Sequence, residues 1–207
     1  MARIRDEQLA QDRRDQITAA AVEVFRRKGF HGARTEEICA AAGVSPGTLF
    51  RHFADKKEII AAVVEAETQR YLALIEEGFG PQGLGAILAR NTAALAAYLR
   101  RAQGQVSTET WIELARNPEL QDLAVAADRR IRDALASSVR AAQTAGVVRA
   151  SLDPAAAGEM LNAVFSGVLF DHELSPDRDA KQSAAALVDL LCRYLTDAAT
   201  TTARRRR

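Results

Sequence analysis

The chain has 207 residues, 48% hydrophobic and 27% charged, with a formal net charge of +1. That is enough apolar material for a sizeable core and too little charge imbalance for a disordered polyelectrolyte. No apolar run approaches the ~18–20 residues of a membrane span, residues 1–6 lack a signal-peptide stretch, and Cys39 and Cys192 are too widely separated to suggest a disulfide framework. A cytoplasmic protein with two reduced, apolar cysteines is the expectation.

Ala, Leu, Glu and Arg dominate, and the chain reads as helices punctuated by breakers. Ile17, Ala20, Ala21, Val24 and Phe25 recur at helical spacing and stop at Lys28-Gly29. Thr35 is placed to cap a second helix that turns Ile38 and Ala42 inward and ends at Gly43. Ser45 caps a third, with Pro46 at its first helical position. Asp55 caps a fourth, and Glu58 three residues on completes a capping box. The stretch GFGPQGLG, residues 78–85, then interrupts the pattern and reads as a linker. Its literal G-x-G-x-x-G (Gly78, Gly80, Gly83) follows a helix rather than a strand and contains a proline, so it is not read as a dinucleotide site. A fifth helix carries Leu84, Leu88, Leu95 and Leu99, and a short sixth carries Trp111 and Leu114. A seventh runs from Leu120 to Val139, an eighth starts at Asp153-Pro154 and ends at Ser175-Pro176, and a ninth holds Ala184 to Leu195. The expected fold is all-α, with about nine helices.

Between Thr35 and Phe53 a helix, a three-residue Gly-Val-Ser turn and a second short helix have helix-turn-helix spacing. The surroundings are basic. Residues 24–57 hold seven Lys or Arg against three Asp or Glu, although the chain without Arg204–Arg207 is mildly acidic, 24 basic against 27 acidic. Local basicity in an acidic chain points to a polyanion. In this arrangement the second helix enters the major groove. Gly47 then permits close backbone approach, Ser45 caps the helix and reaches phosphate, Thr48 and Arg51 face base edges, and His52 and Lys56 neutralise phosphates. Leu49 and Phe53 have the spacing of packing residues. The candidate contact set is Arg34, Thr35, Ser45, Gly47, Thr48, Leu49, Phe50, Arg51, His52 and Lys56.

The string ITAAAVEVFRRKGFHGARTEEICAAAGVSPGTLFRHFADKKEII closely resembles the DNA-binding domain of the TetR family of bacterial transcriptional regulators. The matched features are A-x-x-x-F-x-x-x-G-F, T-x-x-x-I, A-G-V-S-x-G-x-L, H-F and K-x-x-x-I, in order. The resemblance implies a three-helix DNA-binding domain over residues 11–71 (the motif itself about 34–53) and a larger C-terminal helical domain over 72–200 for effector binding and dimerisation. A basic tail, 201–207, follows. Phe50 departs from the family's usual Tyr, whose hydroxyl commonly touches phosphate.

The resemblance further implies a homodimer on a palindromic duplex operator, paired through the last two helices, for which Gly158, Gly167, Ala184, Leu187, Leu191 and Leu195 are candidates. It implies a repressor released by a small molecule; the candidate lining is Asn91, Tyr98, Glu109, Trp111, Phe165, Phe170 and His172, whose apolar bias suits a hydrophobic effector. The alternative is a nucleoid-type or partner-controlled DNA-binding factor with no effector. His31, His52 and His172 are scattered, and no metal spacing, nucleophile elbow or P-loop is present. No catalysis, cofactor, metal or membrane partner is therefore expected.

Overall fold

The computed structural model describes residues 2–102, 108–175 and 177–196. Among them are ten α-helices: α1 Ala2–Gly32, α2 Thr35–Ala42, α3 Pro46–His52, α4 Lys56–Phe79, α5 Pro81–Leu88, α6 Thr92–Ala102, α7 Thr108–Arg116, α8 Gln121–Thr144, α9 Pro154–Leu174 and α10 Ala180–Leu195. The chain divides into two compact units, one of residues 1–69 and 105–128, the other of 70–104 and 129–207.

In the first unit, α1 turns Ile17, Ala21, Val24 and Phe25 onto a core shared with Ile38, Leu49, Phe53, Ile59 and Val63. The Phe25 and Phe30 rings meet edge to face at 4.9 Å. Each fully buried side chain of this size contributes roughly 1.5–3 kcal/mol. Leu114 of α7 and Leu120 join the same core, so α7 and the start of α8 complete it. The regular run of α1 breaks at Gly29, whose φ of 69° disfavours any side chain.

The local signals resolve as follows. Ser45 accepts from the Thr48 amide at 3.1 Å, and Asp153 from the Ala156 amide at 2.7 Å, as expected of caps. The second helix is capped one residue earlier than expected. Arg34 occupies the cap with extended backbone, Thr35 is the first helical residue, and Glu37 reaches back to the Arg34 amide at 3.1 Å. An arginine cannot accept, so the carboxylate three residues on supplies the contact instead. Asp55 does cap α4, accepting from the Glu58 amide at 2.8 Å, but Glu58 accepts from the Ala54 amide rather than from that of Asp55.

The second unit is built around α10, which packs on α6 and α5 and buries Ala184, Leu187, Val188, Leu191 and Leu195. Phe79, Tyr98 and Phe165 form an edge-to-face trio with centroids 4.6–5.8 Å apart. Residues 78–85 are not a linker. They close α4 and open α5, and a Cβ on Gly78 would lie 2.8 Å from the Tyr98 ring, while one on Gly83 would lie 2.4 Å from the Glu77 carbonyl. The glycines serve close packing. The expected fifth helix is two helices, α5 and α6, hinged at Arg90 with φ 63° and restarted by Asn91, which accepts from the Ala94 amide at 3.1 Å.

Candidate nucleic-acid interface

The α2–turn–α3 unit is set by short-range forces. Gly43 ends α2 in the left-handed region, φ 63° and ψ 35°, and Ser45 and Pro46 restart the chain as α3. Leu49 is 0% exposed and Phe53 1%, which anchors α3 in the core. Leu49 is therefore removed from the contact set, because a buried side chain cannot reach a duplex. The opposite face of α3 is open: Phe50 is 51% exposed, and Ser45, Gly47 and Arg51 are exposed with it. Thr48 is half-buried, its hydroxyl 3.0 Å from that of Ser45.

A groove of about 620 Å³ opens on this face, lined by Ser45, Thr48, Arg51 and His52 and, on its other side, by Leu9, Ala10 and Arg13 of α1. Arg13 is exposed and was missed from the sequence, where it appears only as one of a basic pair ahead of the periodic run. Its neighbour Arg14 is the more informative omission. Its guanidinium donates to the His52 carbonyl and to Glu58 at 2.8 Å, and lies 4.1 Å from the centroid of the Phe53 ring. One side chain thus ties α1 to the end of α3 and the start of α4. Nothing local in the sequence signals it, because its partners lie 38 and 44 residues away.

Lys56, expected at phosphate, donates to the carbonyls of Ala33, at 2.6 Å, and His31, at 3.4 Å, and so fastens the connection before α2. Two of its three donors are spent. Arg34 is exposed, and Thr35 and His52 are half-buried. Glu58 and Glu37 are held below the ordinary glutamate value, the first by the Ala54 amide and then Arg14, the second by the Lys28 ammonium and then the Arg34 amide. A Cβ on Gly47 would meet nothing nearer than Ser45 Oγ at 3.9 Å, so packing within the chain does not require glycine there.

Of the expected effector lining, Tyr98 and Phe165 are in ring contact. Tyr98, buried, lines a small cavity of about 80 Å³ with Glu77, Phe79, Ile87, Leu95 and four small residues, and Phe165 stands edge to face beside it. Asn91 is exposed and spent as the α6 cap, and Phe170 is 41% exposed. Trp111 packs on the core of the first unit instead, carried there by the amphipathic α7. His172 is 2% exposed, with Nε2 3.0 Å from the Ser183 hydroxyl, which joins α9 to α10. The side chain of Glu109 and the Arg204–Arg207 run lie outside the described residues.

The pairing candidates also change. Ala184, Leu187, Leu191 and Leu195 are buried in their own unit, and Gly158 lies against α8, where a Cβ would be 2.9 Å from the Ala136 amide. Only Gly167 is exposed with open space around it. The exposed apolar side chains nearby are Met160, Phe170 and Leu174 of α9 and Leu190 of α10, each more than 40% accessible. Among the described residues no helix is long and apolar enough to cross a membrane, and no group of His, Cys, Asp or Glu is arranged to hold a metal ion.

An all-helical chain that presents the outer face of a short second helix of a helix-turn-helix belongs to the class of DNA-binding regulators. The family described as "Bacterial regulatory proteins, tetR family" matches residues 17–63, and "BetI-type transcriptional repressor, C-terminal" matches residues 88–198. The transcriptional regulator UidR of Escherichia coli K12 is 30% identical over 166 residues, 79% of this chain and 83% of UidR. SmeT, repressor of the Stenotrophomonas maltophilia multidrug efflux pump SmeDEF, superposes with a TM-score of 0.62 at 25% identity, over 89% of this chain and 91% of SmeT. FadR from Bacillus subtilis, solved with stearoyl-CoA, shares the fold: TM-score 0.64, 21% identity, 86% of this chain and 97% of that one. The chain belongs to the TetR family and is a DNA-binding transcriptional regulator.

Proposed function

We propose that the protein is a repressor that binds a palindromic operator as a homodimer and is released by a small hydrophobic effector. The observation that carries the DNA-binding part is the open face of α3, where Ser45, Thr48 and Arg51 border one groove with Arg13. Arg51 suits guanine O6 and N7, Thr48 either base edge, and the Gly47 amide at the start of α3 a phosphate. Residues 11–71 supply the DNA-binding domain, with the 105–128 segment packed into the same unit.

The dimer rests on α9. Met160, Ala163, Gly167, Phe170 and Leu174 recur at alternating three- and four-residue spacing and are all exposed, a knobs-into-holes stripe with a small centre. Left in water, such a stripe is costly, and a second copy of the same face covers it. The effector reading rests on the mostly apolar lining of the Tyr98 cavity, where a candidate aromatic meets free space. SmeT, a repressor by its description, favours repression over activation.

Selection of bound sites from random duplex DNA tests the reading. A palindromic motif, lost when Arg51→Ala is used, is expected; enrichment without a motif replaces it with the nucleoid-type alternative. Titrating a panel of hydrophobic compounds into the labelled operator complex then reads release by anisotropy. Release by none of them, while the motif stands, leaves a partner-controlled factor.

A further inference from the structure

We propose that the groove between the end of α1 and α7 is a second binding site, for a small, multiply charged anion of the phosphate class. The groove measures about 760 Å³ and lies wholly within the first unit. Its walls carry Arg26, Arg27, Lys28 and His31 from α1 and Arg116 from α7, with one acid, Glu113. Four permanent cations thus line it with one carboxylate, and the ion pairs that Arg26 and Lys28 make, with Glu23 and Glu37, involve neither Arg27 nor Arg116.

That carboxylate is already committed. Glu113 accepts from two successive backbone amides, Phe30 at 2.8 Å and His31, immediately after the positive-φ Gly29. Two consecutive N–H groups aimed at one anion are the kind of concavity that binds phosphates elsewhere. Here the fold fills it with its own carboxylate and leaves the surrounding cations in excess. Arg26 pairs with Glu23 at 2.9 Å and Lys28 with Glu37, each through a single donor. The Arg27 Nε donates to the Glu23 carbonyl, which leaves the terminal nitrogens of that guanidinium for a ligand.

A basic surface on a DNA-binding unit has an obvious rival reading as further duplex contact. Two features favour a small anion. The groove shares no lining residue with the one beside α3, and its cations are contributed by two helices that border one concavity. A ligand there meets Glu113 directly, so occupancy bears on the contact that holds α7 to the end of α1.

The test uses the full chain and inorganic triphosphate, titrated calorimetrically with ionic strength held constant by NaCl. Saturable binding at one per chain is expected. Arg116→Ala should weaken it at least tenfold, and Arg27→Ala, on the other wall, serves as an independent second variant in case the first fails to fold. Glu113→Gln removes the competing negative charge and should tighten binding severalfold, which a merely structural role would not produce. Heat that vanishes at matched ionic strength, equal affinity in the folded Arg116→Ala or Arg27→Ala protein, or weaker binding by Glu113→Gln each overturns the site. So does a result in which the arginine variants change operator affinity alone, which assigns the groove to DNA. Operator binding measured without triphosphate keeps failure of this site distinct from failure of the repressor reading.

Discussion

Gly47 and Phe50 sit one turn apart on the exposed face of α3, and both choices oppose what stability alone would select. Alanine in place of glycine stabilises a helix by up to about 1 kcal/mol, and a Cβ at position 47 has room. Gly47→Ala should therefore raise the melting temperature while weakening operator binding about tenfold or more, because the added methyl meets the DNA backbone. Retained operator affinity would show that the helix does not approach that closely. Phe50 exposes half its surface with no hydroxyl to spend. Phe50→Tyr adds one neutral hydrogen bond to phosphate, about 1 kcal/mol, so affinity should rise a few-fold with the selected motif unchanged. Unaltered or reduced affinity would place the ring away from the backbone.

Among elements, the joint between α1, α3 and α4 is held by side chains rather than by further core. Arg14 joins a carbonyl, a carboxylate and an aromatic face in a half-exposed setting. Arg14→Ala should cost about 1–2 kcal/mol and should weaken DNA binding beyond that, because the end of α3 loses its tether. Chemical denaturation and anisotropy on one preparation separate the two effects. Glu58 and Glu37 are both depressed below their unfolded values. Groups of this sign stabilise the fold above the unfolded glutamate pKa, and the contribution disappears as pH falls through the folded one. The melting temperature should thus fall below about pH 5, and Glu58→Gln should make that fall shallower. An unchanged slope would mean that other carboxylates govern acid unfolding. Asp189, lowered by Arg193 and then Arg90, adds a term of the same sign in the second unit.

For the molecule as a whole, the surface to test is the proposed pairing stripe on α9. If a second copy covers it, Phe170→Asp together with Leu174→Glu should yield a folded monomer by light scattering. That monomer should lose most of its operator affinity, since two half-sites are then bound separately. A dimer that survives both charges would move the interface elsewhere. The same proposal moves the pairing surface away from the α10 series that the sequence suggested. Leu187, Leu191 and Leu195 form an equally regular series on α10, and periodicity reports only that a face is apolar. Whether that face meets its own chain or another copy depends on which helices pack against it, and α5 and α6 occupy this one.

The helical class, the helix-turn-helix and the caps at Ser45, Asp55 and Asp153 were legible in the amino-acid order because each depends on residues within one turn of each other. The exposed face of α3 was legible for a related reason: Leu49 and Phe53, four apart, define the buried side and leave the other to solvent. Contacts closed over long loops carry no such local mark. The seating of Trp111 in the first unit, the grip of Glu113 on amides some 80 residues earlier, and the tether made by Arg14 are of this kind. The packing of Gly78 beneath Tyr98 and of Gly158 on α8 is as well, and it turned an apparent linker and a supposed pairing site into core. Local order sets which backbone groups and faces each helix presents; only the assembled chain decides which of them are consumed.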